Sequence, residues 1–168
     1  MPHVFFDVNV YIDAVIFWNS GNDPAQIVFD SGGLNGPPTA LLWIAIRDGS
    51  LVRGEKITLH ASDHVLEQVA AILGRKYNWA DDAVDLVLNA IYDLVENSGG
   101  AVIEKGSTTP SLQPNDPEDN RVLGDLLDTP AQIFVSADDA FVTAGRARYR
   151  TPLFMTSTEF IRALNERS

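Results

Sequence analysis

The 168-residue chain carries 23 acidic and 12 basic side chains, a formal net charge of −11, and is 45% hydrophobic and 21% charged. That is the composition of an ordinary globular protein without the basic patches that hold nucleic acid by bulk electrostatics. The absence of cysteine excludes thiol catalysis, disulfides and thiolate metal sites.

The length predicts a single domain over residues 1–168. The N-terminus has no basic region, and Asp7 and Asp13 interrupt its apolar stretch. No signal peptide and no membrane span are therefore expected, and the cytoplasm is the expected location. Residues 3–7, HVFFD, read as a short apolar strand, and 9–18, NVYIDAVIFW, as a mostly apolar helix that Asn9 can cap. Residues 19–38 are rich in Gly, Pro, Asn and Asp and form a long connection, with a short turn of structure around Ala25–Phe29. A helix over 38–49 ends on Gly49. Residues 56–62, KITLHAS, are a strand leading to a serine cap. Amphipathic helices follow over 62–77 and 79–100, the second closed by a glycine pair. Residues 101–105 are a short strand, 106–120 a turn-rich loop, and about 119–128 a helix. A strand over 131–139 ends in acids and precedes a short helix, and 152–166 hold a last strand, a Ser/Thr cap and a terminal helix. Strands alternating with helices predict an α/β domain with a mainly parallel sheet.

In such sheets ligands bind beyond the carboxyl ends of the strands. Acids collect there. Asp7 ends the first strand, Asp138 and Asp139 end the fourth, and Asp116, Glu118 and Asp119 stand at the mouth of the helix after the third. Each has a plain structural role open to it: Asp116, Asp119 or Asp138 as a helix cap, Asp7 as an Asx turn. Several carboxylates on one sheet edge repel one another, and a hard divalent cation, Mg²⁺ or Mn²⁺, is the simplest remedy. A calcium loop is excluded at DPEDNRVLGDLLD, because Arg121 stands where glycine is required and no glutamate closes it. His60 and His64 lack the glutamate of a zinc helix and are expected to be structural or surface residues. No phosphate-binding glycine loop and no nucleophile elbow is present.

Four segments, in order, resemble the PIN-domain family, and in particular the short bacterial PIN proteins that act as toxins of toxin–antitoxin pairs. They are FFDVNVYIDA (5–14), NDPEDNRVL (115–123), IFVSADDAF (133–141) and PLFMTSTEFIRAL (152–164). The resemblance implies a PIN-like three-layer sandwich around a five-stranded sheet. It implies a carboxylate pocket for Mg²⁺ or Mn²⁺ and hydrolysis of phosphodiesters in single-stranded RNA. Carried over, Asp7, Asp119 and Asp138 are metal ligands and catalytic acids. Asn9 and Ser136 support them, and Asp116 lies within direct or water-mediated reach. The family's glutamate after the second strand has Glu67 as its candidate here, although the family register places Gln68 at that position. The glycine usual before the strand-four acid is Ala137.

The physics of the reaction agrees: a bound dication lowers the pKa of water and neutralises the phosphate, so well-placed carboxylates suffice. The segment GRARYR places Arg146, Arg148 and Tyr149 after Asp138. They either guide the RNA, with Tyr149 stacking on a base, or close a helix end or hold an acidic partner. An inactive PIN-like module that binds RNA or a protein is the competing expectation. The apolar segments 40–46 and 84–95 predict a homodimer. A protein antitoxin is the partner that the resemblance implies.

Overall fold

The computed structural model describes residues 2–19, 56–104, 110 and 116–166. The connection and helix expected over 19–49, and most of the loop expected over 106–120, lie outside the described residues. Five strands are described: β1 (His3–Phe6), β2 (Thr58–Ser62), β3 (Val102–Ile103), β4 (Ile133–Ser136) and β5 (Leu153–Thr156). They alternate with α1 (Val8–Asn19), α2 (Asp63–Arg75), α3 (Asp81–Asn97), α4 (Pro117–Leu127), α5 (Asp139–Arg148) and α6 (Ser157–Glu166). The sheet order is β3-β2-β1-β4-β5 and every pairing is parallel, so the sheet expected to be mainly parallel is wholly so among the described strands. The helices flank this sheet, a PIN-like sandwich. Among the described residues no helix is long and apolar enough to cross a membrane.

β1 is the central strand. Val4, Phe5 and Phe6 are completely buried, as a strand covered on both faces requires. It pairs Phe5 with His60 of β2 and Phe6 with Val135 of β4. An aromatic group secures the other side of the sheet, where the Phe134 ring lies 5.0 Å from that of Phe141 and 5.2 Å from that of Phe154. Gly145 lets α5 approach β5, because a Cβ there would sit 2.2 Å from the Phe154 ring. The expected glycine pair does close α3. Gly99 adopts φ +86°, and a Cβ on Gly100 would collide with the Leu59 carbonyl.

Helix entries follow the short polar residues, with two shifts from expectation. Ser62 caps α2 by accepting from the Val65 N–H. Of the two acids open to this role, Asp116 caps α4, accepting from the Glu118 and Asp119 N–H groups, and Pro117 takes the first turn. Helix α4 therefore starts two residues earlier than expected, and Asp119 falls inside its first turn. Asn9 does not cap α1. The helix begins at Val8, whose N–H donates to Asp7 Oδ1 at 2.8 Å, and the Asn9 side chain is used elsewhere.

This topology places a crevice. β1 leads to β2 on one side, and β4 returns to its other side. The strand order therefore changes direction between β1 and β4, and Asp7 and Asp138 follow the carboxyl ends of these two strands. Open parallel sheets bind ligands at such a switch point.

Candidate functional site

At the switch point one hydrogen-bond network joins the ends of β1 and β4. Ser136 Oγ donates to Asp7 Oδ2 at 2.7 Å and accepts from the Asp138 N–H at 3.0 Å. Asn9 Nδ2 donates to Asp7 Oδ2 at 3.3 Å and to Ser136 Oγ at 3.2 Å. Asn9 Oδ1 accepts from the Ala137 N–H at 2.9 Å. Asn9 thus bridges two strand ends across 128 residues of sequence. These bonds offset part of the desolvation of the buried Asp7 carboxyl. Asn78 is the one described non-glycine residue with positive φ, so Ala137 makes its turn without needing the freedom of glycine.

The acids meet around this network. Burial pushes the Asp7 carboxyl above the ordinary carboxylate range. Bonds from Ser136, Val8 and Asn9 pull it back, and the charge of Asp138 raises it further. Asp119 is half-buried and is pushed up to about 7, first by burial and then by the charges of Asp116, Asp7, Asp138 and Glu118. Asp138 and Asp116 hold their helices with Oδ1 alone, Asp138 accepting from the Ala140 and Phe141 N–H groups. Each cap therefore leaves a second carboxylate oxygen for other use. Asp7, Asp119, Asp138 and Glu118 all border one cavity of about 400 Å³.

The wall formed by α2 departs from expectation. Gln68 lines the cavity, whereas Glu67 is exposed and close enough to Tyr92 of α3 to raise its pKa. One helical position turns a side chain by about 100°, and here that turn leaves Gln68 on the cavity and Glu67 on the exposed face. The expected catalytic Glu67 is corrected accordingly: the structure does not bring it to the other acids.

The arginine segment is also placed otherwise than expected. Arg146 Nε donates to the Phe154 carbonyl at 2.8 Å, and its guanidinium pairs with Glu159. Tyr149 stacks on Phe154, with ring centroids 6.2 Å apart and planes inclined by 23°, and Arg148 stands over the Tyr149 ring at 5.5 Å. Arg148 and Tyr149 occupy the C-terminal end of α5, roughly 15 Å of helix away from Asp138. Of the roles open to GRARYR, closing a helix end describes Tyr149, the C-cap of α5, whereas Arg146 ties α5 to β5 and α6.

Further features escaped the sequence reading. Lys76, Tyr77 and Asp13 share the cavity with the acids. Buried His64 meets Glu118, with Nε2 and Oε2 3.1 Å apart. Gln68, Ile72 and Lys76 recur every four residues on α2 or at its end, so helical periodicity held a signal for one shared face. Nothing local announces which face meets α1. His60 is buried as well as hydrogen-bonded. It pairs with His3 at 2.9 Å, and burial followed by the nearby His3 lowers its pKa.

The donor set suits a hard dication: carboxylate oxygens with no soft ligand. Asp119, with its raised pKa, is the acid that a bound cation would relieve most. Among the described residues no three acids or histidines converge into a closed ligand cage. The arrangement fits a cation that takes one or two carboxylates directly and completes its shell with water, as Mg²⁺ usually does.

No family model matches the chain, and no curated protein matches it.

Proposed function

We propose that the protein is a Mg²⁺- or Mn²⁺-dependent ribonuclease of PIN type that hydrolyses phosphodiester bonds of single-stranded RNA. The observation that carries this reading is Asp119, whose pKa burial and four neighbouring acids push up to about 7 beside Asp7 and Asp138 at the switch point of a parallel sheet. A site that concentrates like charge in this way is suited to a cation and, through it, to a phosphate. When bound, the cation would activate water and neutralise charge at the phosphorus. Asp119 and Asp138 would hold it, with Asp7 close by. Asp7 is oriented by Ser136 and Asn9, so its carboxylate cannot swing away when the site fills. Glu118 is steadied by His64 and borders the same cavity. The four motifs resembling PIN-domain toxins extend the reading to a cytoplasmic toxin with a protein antitoxin. Leu86 and Tyr92, exposed on α3 at 72% and 40%, extend it to a homodimer.

A second reading has one observation in its favour. Gln68 faces the cavity where the family carries glutamate, as expected of a PIN-like module that binds RNA or a protein without cutting. Cleavage separates the two. Purified protein should cut a single-stranded RNA in Mg²⁺ and not in EDTA. Asp138→Asn should abolish cutting and weaken Mn²⁺ binding by calorimetry. Mn²⁺ binding of equal strength in both proteins would remove Asp138 from the site. RNA bound but never cut would favour the inactive module.

A further inference from the structure

The cavity does not end at the acids. Helices α1 and α2 both start at the carboxyl edge of the sheet and run back along it, and the cavity follows them. Gln68, Ile72 and Lys76 mark its course on α2, spanning roughly 12 Å of helix. Ile12 and Asp13 face it from α1. Its character changes along the way, from carboxylates through apolar walls to Lys76 and Tyr77.

Two features of that far end point to a ligand. Lys76 and Tyr77 are consecutive, exposed, and both border the cavity, with Nζ 5.6 Å from the ring centroid. Lys76 also feels Asp13, whose pKa burial raises and the lysine charge lowers. Among the described residues the ion pairs within 4 Å are made by other side chains. A helix-end lysine is favourable against the last carbonyls wherever it points. That general effect does not require an aromatic neighbour on the same cavity wall. A cation, a ring and an apolar trough leading to a cation-binding acid cluster match a strand of alternating phosphates and bases.

We propose that Lys76 and Tyr77 form the strand-binding subsite of this site. Lys76 takes a backbone phosphate adjoining the scissile one, and Tyr77 stacks on the base between. The assignment rests on the ribonuclease reading for its substrate, and it explains how a chain of net charge −11 holds RNA without a basic surface. Local contacts must replace the diffuse attraction it lacks.

The test uses the full chain carrying Asp138→Asn, so that RNA survives, and a fluorescein-labelled 12-nucleotide oligouridylate in Mg²⁺. Adding Lys76→Ala should weaken binding about tenfold and reduce the slope of log K against log salt by about 0.7, the single-strand value for one lost phosphate contact. Adding Tyr77→Ala should weaken binding at least about fivefold, the lower bound for one stacked base, while Tyr77→Phe should retain it. Placed in the chain with Asp138 intact, Lys76→Ala and Tyr77→Ala should leave melting temperature and Mn²⁺ binding unmoved, which separates the subsite from folding and from the acids. Unchanged affinity in both alanine variants overturns the proposal, as does an Asp138→Asn chain that binds no oligomer at low salt. If the oligomer binds in a Lys76-dependent way but the chain with Asp138 intact never cleaves, the subsite stands and the ribonuclease reading falls.

Discussion

Two polar clusters stand at the carboxyl edge of this sheet, and they solve the problem of charge in opposite ways. Beside β5, Thr156 Oγ1 accepts from the Glu159 N–H while Glu159 Oε1 accepts from the Thr156 N–H, a reciprocal cap. Arg146 adds the opposite charge and also binds the Phe154 carbonyl. Burial alone would raise the Glu159 pKa, but the bonds from Arg146 and Thr156 outweigh it and hold the carboxyl below its ordinary range. Every group in that cluster has its complement within the chain. Between β1 and β4 the reverse holds: acids gather and Asp119 is pushed up. A closed cluster serves the fold. One left with excess like charge is the cluster that the proposed cation would relieve.

The comparison breaks most sharply in activity. Asp119→Asn should lower Mg²⁺-dependent RNA cleavage by at least about a hundredfold, since even groups behind a metal's ligands cost 10–100-fold. Arg146→Ala should leave cleavage and oligonucleotide binding near wild type, although the sequence left an RNA contact open to it. A gel assay over matched protein concentrations reads both. Loss of cleavage in Arg146→Ala with Asp119→Asn still active would invert the comparison.

Ser136→Ala should follow in size. It removes the donor from buried Asp7 Oδ2 and the acceptor of the Asp138 N–H. Leaving such groups unsatisfied costs about 1–3 kcal/mol, read as a lower urea midpoint at unchanged slope. A midpoint equal to wild type would show that water replaces the hydroxyl at no cost.

The clusters should also carry opposite pH signatures. Folded Asp119 keeps its proton up to about 7, against an ordinary value of 3.8. Between those values the folded chain holds a proton that the unfolded chain has lost, so metal-free stability falls as pH rises through the window. Glu159 is held below its ordinary 4.5, so its contribution is present above that value and is lost as pH falls through the folded pKa. Thermal melts in EDTA should therefore show the melting temperature dropping from about pH 4 to 7. Asp119→Asn should flatten that drop, and Mg²⁺ should offset it. A flat wild-type profile would show that the acids do not strain the fold.

The smallest effect expected is on the stability of Arg146→Ala. Arg146 and Glu159 are 46% and 39% exposed, and solvent-screened pairs contribute about 1 kcal/mol or less. A larger loss would mark the cluster as a keystone of the β5 edge.

Much of this arrangement is local chemistry, and local chemistry is legible in a sequence. Apolar runs such as VFF and IFV can only be strands or buried helix, and the short polar residues after them decide where helices begin. Alternation of the two already requires a parallel sheet, and with it an edge where Asp7, Asp119 and Asp138 gather. Local rules placed the start of α4 two residues late and gave the α1 cap to Asn9, because Asp116 and Asp119, like Asp7 and Asn9, are equally able to cap. Tertiary structure decided what local rules leave equal. The non-sequential strand order brings Ser136 against Asp7 across 129 residues. The rotation of α2 chose Gln68 over Glu67 for the cavity, since neighbours on a helix point about 100° apart and packing alone fixes which of them faces inward. The return of β5 beside α5 supplied Arg146 with a carbonyl and a carboxylate, and the course of α1 along α2 made Lys76 and Tyr77 part of the acid-lined cavity. Composition and spacing name the groups that a site needs; only the docking of helices on the sheet determines which of them share a volume.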